Sequence, residues 1–151
     1  MLEDSKQIVV VGAGIGGLTT ALCLKHFGLN ASVYERSNEV TTAGAGIQLS
    51  PNANRVFSRI GLLDEVSALS RRCKGVKVFD YKSNSQLALF DYMKFKQDAA
   101  FLFCHRADLV GILYAACKKL KIPVHFDKKL ENIKNGEVIF SDGNVYSADI
   151  I

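Results

Sequence analysis

No hydrophobic run in these 151 residues has the length of a membrane span. The longest apolar stretch, Ile8 to Leu18, is short and broken by four glycines, which argues against one. The four cysteines, Cys23, Cys73, Cys104 and Cys117, form no C-x-x-C pair and have no metal-ligand spacing. No metal site is expected, and in a reducing compartment they read as small buried or half-buried side chains. Repeats, linker-like segments and low-complexity tracts are absent. The opening Met-Leu-Glu-Asp-Ser-Lys is polar and acidic with no secretory signal, so a cytoplasmic chain is expected. Charge of one sign barely dominates: 19 Lys+Arg against 15 Asp+Glu leave a net +4. The basic residues are scattered in small groups, such as Arg71-Arg72 and Lys118-Lys119, with no nucleic-acid motif among them. They read as solvated surface, and no nucleic-acid partner is expected.

What is present is a globular composition, 48% hydrophobic and 23% charged, which rules out disorder as a description of the whole chain. The length suits one domain. Gln7-Ile-Val-Val-Val-Gly12 predicts a strand buried on both faces. A helix follows over Ile15 to Phe27, closed by Gly28, and Ala31 to Glu35 predicts a second strand. This β-α-β order makes the two strands parallel neighbours.

Further along, residues 41–49 read as a loop or short strand, and Ser50-Pro51-Asn52 can open a helix running to Gly61. Gly75 to Tyr81 and Gln86 to Phe90 predict paired strands about Ser83-Asn84-Ser85. A second strong helix is predicted over His105 to Leu120, stopped by Pro123, with a third parallel strand over Pro123 to Phe126. Asn135-Gly136 and Asp142-Gly143 are hairpin signals, so residues 130–147 predict a three-stranded antiparallel meander. Ala148-Asp-Ile-Ile151 reads as a strand just begun, and the chain as part of a longer one.

Gly12-Ala-Gly-Ile-Gly-Gly17 satisfies G-x-G-x-x-G through Gly12, Gly14 and Gly17. The first glycine permits the turn off the strand, the second lets backbone approach a pyrophosphate, and the third lets the helix pack close to the sheet. The helix start offers unpaired N–H groups and a partial positive charge to phosphates. Glu35, at the end of the next strand, is placed to accept hydrogen bonds from an adenosine ribose. The alternative is that these glycines serve only a tight strand-to-helix turn. A carboxylate at 35 disfavours a 2′-phosphate, and the neighbouring Arg36 is either a cofactor contact or an exposed cation. The fingerprint does not separate FAD from NAD, but the long insertion between Glu35 and the strand near Val124 favours FAD.

Thr41-Thr-Ala-Gly-Ala-Gly-Ile-Gln-Leu-Ser-Pro-Asn-Ala53, with the glycine fingerprint before it and His105-Arg-Ala-Asp-Leu109 after it, resembles the flavoprotein aromatic hydroxylases. The likeness is closest to the salicylate hydroxylase and 6-hydroxynicotinate monooxygenase branch. The resemblance implies a Rossmann-like α/β FAD-binding fold, FAD as cofactor, NAD(P)H as reductant, molecular oxygen, and a small aromatic substrate. It also implies that Gly12, Gly14, Ile15, Gly16 and Gly17 meet the pyrophosphate and Glu35 the ribose. Arg106 would contact FAD near its phosphate and ribityl portion. Leu130 would touch the adenine edge through its backbone, with core packing as the alternative. Gln48 would face the flavin and substrate cavity, with a structural hydrogen bond equally open. His26, His105 and His125 have no partner readable from sequence and are expected to pack or cap. The family's later Gly-Ala-Asp-Gly and Gly-Asp segments and its sheet over the flavin ring are not in this sequence. The 151 residues are therefore expected to be the FAD-binding portion without its substrate domain, and to hydroxylate nothing alone. A nicotinamide-dependent dehydrogenase and a non-catalytic nucleotide-binding module are the competing readings. The first would need a catalytic His or Tyr constellation, and none is legible.

Overall fold

A computed structural model describes residues 6–40, 44–94 and 100–151. The chain opens with β1 (Ile8–Val11), α1 (Ile15–His26), β2 (Ala31–Tyr34), β3 (Gly46–Leu49) and α2 (Pro51–Arg59). It continues through α3 (Leu63–Ala68), β4 (Arg71–Cys73), β5 (Gly75–Phe79), β6 (Gln86–Asp91), a 3-10 turn (Tyr92–Lys94) and β7 (Phe101–His105). Last come α4 (Arg106–Lys119), β8 (Val124–His125), β9 (Leu130–Lys134), β10 (Glu137–Phe140) and β11 (Val145–Ser147). Two compact units result, one of Met1–Gly44 with Arg106–Ile151 and one of Ala45–His105.

The first unit is built on a parallel sheet of order β1-β2-β8. Ile8 pairs with Ala31 and Val11 with Tyr34, so the β-α-β unit forms as expected. On the free side of β1, Ile150 bridges Ile8 in parallel, and Val9 N–H donates to the Ile150 carbonyl at 2.9 Å. Ile150 thus makes an isolated parallel bridge, and Ile151 is in no strand. β1 is not buried along both faces, however: Ile8 and Val9 are buried, while Val11 is 42% exposed. Val11 stands at the carboxyl end of the strand, where the chain turns away into the glycine segment.

Leu18, Ala21 and Leu22 of α1 are buried, as are Leu109, Val110, Leu113 and Cys117 of α4, and the two helices pack together. Each buried Leu or Val among them contributes about 1.5–3 kcal/mol. α1 closes where the Gly28 and Leu29 N–H groups return to the Lys25 and Leu24 carbonyls at 3.0 and 2.9 Å. A second cluster joins Val9, Tyr34, Val138, Phe140 and Ala148, with Leu130 and Tyr146 packed on it. Tyr34 is stacked between His125 and Phe140, at 4.8 and 4.9 Å between ring centroids. The meander forms as predicted, with Asn135 and Gly136 both at positive φ in its first turn.

In the second unit, β3-β7-β4 make an antiparallel sheet, and β5 and β6 pair as a two-stranded hairpin. Pro51 occupies the first turn of α2, and buried Asn54 donates to the Ala100 carbonyl at 2.8 Å. The predicted helix over Ser50 to Gly61 ends at Arg59, and the short α3 beyond it was not expected. The helix predicted from His105 starts one residue later, because His105 closes β7 and pairs with Gly46. Local periodicity gave no sign of that long-range ladder. Thr41, Thr42 and Ala43, in the segment expected as loop or strand, lie outside the described residues; Gly46–Leu49 is strand. Cys73, Cys104 and Cys117 are buried and Cys23 is half-buried. Among the described residues no helix is long and apolar enough to cross a membrane.

Candidate functional site

The carboxyl end of a parallel sheet is where an α/β fold leaves room for a ligand, and here β1 runs directly into the glycine segment. Gly12 has φ +99°, a conformation that side chains rarely adopt, and its N–H donates to the Tyr34 carbonyl at 2.7 Å. A Cβ at Gly17 would lie 1.8 Å from the Gly12 carbonyl oxygen, so only glycine lets α1 pack this close to the turn. Gly14 and Gly16 differ from both. A Cβ at Gly16 would meet nothing within 4 Å, and one at Gly14 would meet only an Arg106 guanidinium nitrogen at 3.9 Å. Gly12, where a Cβ would also meet nothing within 4 Å, is restricted by its φ alone, Gly17 by crowding, and Gly14 and Gly16 by neither. Gly14, which caps α1, supplies no side-chain hydrogen bond, and the first turn carries no acidic residue. The N–H groups and positive dipole end of α1 are left for a ligand.

Glu35 sits just beyond β2 and ties three segments together. Its carboxylate accepts the Ala13 N–H at 2.8 Å and the Ser37 N–H at 2.9 Å. Its own N–H donates to the His125 carbonyl at 2.8 Å, and its carbonyl accepts the Lys128 N–H at 2.8 Å. Burial pushes the Glu35 carboxyl up, but the N–H groups of Ser37 and Ala13 outweigh it and hold the group below its ordinary value. It is thus an anion near neutral pH. Each carboxylate oxygen has a second lone pair, so both N–H bonds can persist while the group accepts from a ligand hydroxyl.

Ala13, Gly14, Glu35, Arg36, Ser37, Arg106 and Val110 line a polar cavity of about 180 Å³. Of the residues singled out from sequence, Gly14, Glu35, Arg36 and Arg106 meet here, with Gly12, Ile15, Gly16 and Gly17 on the adjoining backbone. Arg106 is half-buried as the first residue of α4, and Arg36 is exposed. Leu130 is elsewhere: its side chain packs on the Phe140 cluster and its backbone pairs with Phe140. Gln48 is an exposed residue of β3 in the second unit. His125 packs on Tyr34, and His26 sits edge-on to Phe27 at 5.3 Å. Ala13, Ser37 and Val110 were not anticipated. Ser37, two residues past the acid, is the one a turn argument could have found. A larger cavity of about 460 Å³ is lined by Gln7, Asn30, Lys121 and Pro123, at the opposite, amino-terminal end of the strands. Parallel sheets do not place ligand sites at that end.

The first unit is thus a dinucleotide-binding α/β fold with an acid beside its glycine turn. A family profile described as "FAD binding domain" matches residues 5–139, and the chain belongs to that family. FAD is its cofactor. The chain is 31% identical to 3-amino-4-hydroxybenzoate 2-monooxygenase of Streptomyces cremeus, over 100% of its own length and 40% of that protein. It is 30% identical to 6-hydroxynicotinate 3-monooxygenase of Bordetella bronchiseptica, over 99% of its length and 40% of the relative. Among solved structures, a variant of 2-methyl-3-hydroxypyridine-5-carboxylic acid oxygenase superimposes with a TM-score of 0.84 at 25% identity, covering 95% of this chain and 38% of that one. The chain therefore spans about 40% of the length of the curated relatives it matches. The residues present fit FAD, since the Cβ-free backbone at Gly14 and Gly16 leaves the space a diphosphate needs, with a guanidinium above it and a carboxylate beside it.

Proposed function

We propose that this chain is the FAD-binding portion of a cytoplasmic flavin-dependent monooxygenase that hydroxylates a small aromatic molecule with NAD(P)H and oxygen. Bound FAD, once reduced, supplies the activation of oxygen. The protein's part is to hold the cofactor's adenosine diphosphate half. The backbone N–H groups of Gly14, Ile15, Gly16 and Gly17 receive the diphosphate, beyond the turn that the positive φ of Gly12 permits. Glu35 accepts from the ribose hydroxyls, Arg106 neutralises phosphate charge, and Arg36 adds a cation at the rim. The Leu130 backbone meets the adenine edge, and Gln48 serves the flavin and substrate side. Residues 1–151 act as one FAD-binding domain, and alone they bind without turnover. The printed names of three relatives, a 3-amino-4-hydroxybenzoate 2-monooxygenase, a 6-hydroxynicotinate 3-monooxygenase and a 3-hydroxybenzoate 6-hydroxylase, favour this chemistry.

The observation that carries the reading is the main chain at Gly14, restricted by neither crowding nor φ, facing a polar cavity that Glu35 and Arg106 also line. Titrating the purified chain with FAD tests it. Saturable quenching of flavin fluorescence and a raised melting temperature are expected. A protein that ignores FAD but is stabilised by NAD would be a dehydrogenase-type domain instead. Steady NADH-dependent product formation by the 151 residues would overturn the inactivity.

A further inference from the structure

Arg106 passes between two glycines. At its head, a guanidinium nitrogen lies 3.9 Å from where a Cβ of Gly14 would stand. At its stem the contact is much tighter. A Cβ on Gly44 would lie 2.8 Å from Arg106 Cβ, 3.0 Å from Cδ and 3.2 Å from Cγ. Carbon atoms in good contact sit about 3.5–4.0 Å apart, so one added methyl would collide with three stem atoms at once. The nearest of these is Cβ, which no rotamer change can move, because the first turn of α4 fixes it. Relief has to come from the 44 backbone lifting or from the arginine being pushed off its line.

We propose that Gly44 is a positioning residue for the cofactor site: its bare backbone lies against the Arg106 stem and aims the guanidinium across Gly14 into the cavity beside Glu35. The proposal rests on the reading of Arg106 as a phosphate contact, and goes beyond it by assigning a role to a residue that touches no cofactor. A guanidinium recognises phosphate through directed N–H bonds, so a small displacement of its stem weakens the diphosphate contact and leaves the charge present.

A double-mutant cycle tests this, with ADP and adenosine as probes and dissociation constants read from amide NMR titrations. Arg106→Ala is expected to weaken ADP about tenfold or more. Gly44→Ala is expected to weaken ADP several-fold and leave adenosine unchanged. The pair should match Arg106→Ala within about twofold, because without the guanidinium there is nothing left for a displaced stem to misaim, even though the 2.8 Å contact with Cβ persists. Losses that multiply in the pair, or a matching loss of adenosine binding, would overturn the role of Gly44. If Arg106→Ala itself leaves ADP binding intact, the phosphate assignment fails first, an outcome separate from a failure at Gly44. Should Gly44→Ala cost the fold, its pair with Arg106→Gly stands in for it, since that change removes Cβ, Cγ and Cδ together. Melting raised by Arg106→Gly in the Gly44→Ala background, more than in the parent, supports the contact, and no such gain contradicts it.

Discussion

The parallel-sheet unit and the β5–β6 hairpin treat similar apolar patterns in opposite ways. Phe140, Val33, Leu113 and Val138 have no exposed surface. On the hairpin, Leu87 is 66% exposed, Phe90 55%, Leu89 52% and Val78 40%. Val33, Val138 and Phe140 lie on strands, as do the hairpin residues. The hairpin carries apolar side chains on both faces, Val76, Val78 and Phe90 on one and Leu89 on the other, and a two-stranded ribbon covers neither. Strand patterning thus reports secondary structure well and burial poorly, because burial depends on what packs against the strand.

The contrast can be broken by mutation. Phe140→Ala should cost the most, about 3–5 kcal/mol in urea unfolding, since it empties the centre of an aromatic cluster. Gly17→Ala should follow at about 3 kcal/mol, because its methyl meets a carbonyl oxygen and not a movable side chain. Glu35→Ala should weaken FAD at least about tenfold by fluorescence titration, and also destabilise the turn because the Ala13 and Ser37 N–H groups lose their acceptor.

Acid sharpens the same point. Glu35 and Asp142 both have carboxyl groups held below their ordinary values. Asp142 is drawn down to about 2, first by its bond to Lys128 and then by the Asn144 N–H. Their stabilisation is complete above the ordinary values of 4.5 and 3.8 and disappears as pH falls through the lowered ones. Melting temperatures should fall over that acid range, and Glu35→Gln should flatten part of the drop. Leu87→Ser on the hairpin should change stability least, within about 0.5 kcal/mol. A cost equal to that of Phe140→Ala would erase the difference between the two regions.

Much of the site could be read before any coordinates. The strand before Gly12, the helix after Gly17 and the acid at 35 are local and follow one another within 28 residues, so spacing alone locates them. The meander was equally legible, because Asn135-Gly136 demands its turn. What escaped was non-local. β7 is a strand because β3 and β4 pair with it, and nothing within Phe101–His105 announces partners 28 to 59 positions earlier. Glu35 was read as a ligand for ribose, and its second task of pinning Ala13 and Ser37 emerged only in three dimensions. Gly44 looked like an ordinary loop glycine until the Arg106 stem was found against it.

Amide NMR of the uniformly labelled 151-residue chain, recorded while FAD is added, addresses the central claim most directly. The account predicts the largest shifts at Gly14 to Gly17 and at Glu35 to Ser37, saturating together. Shifts confined to other residues, with the glycine turn unmoved at full saturation, would contradict it.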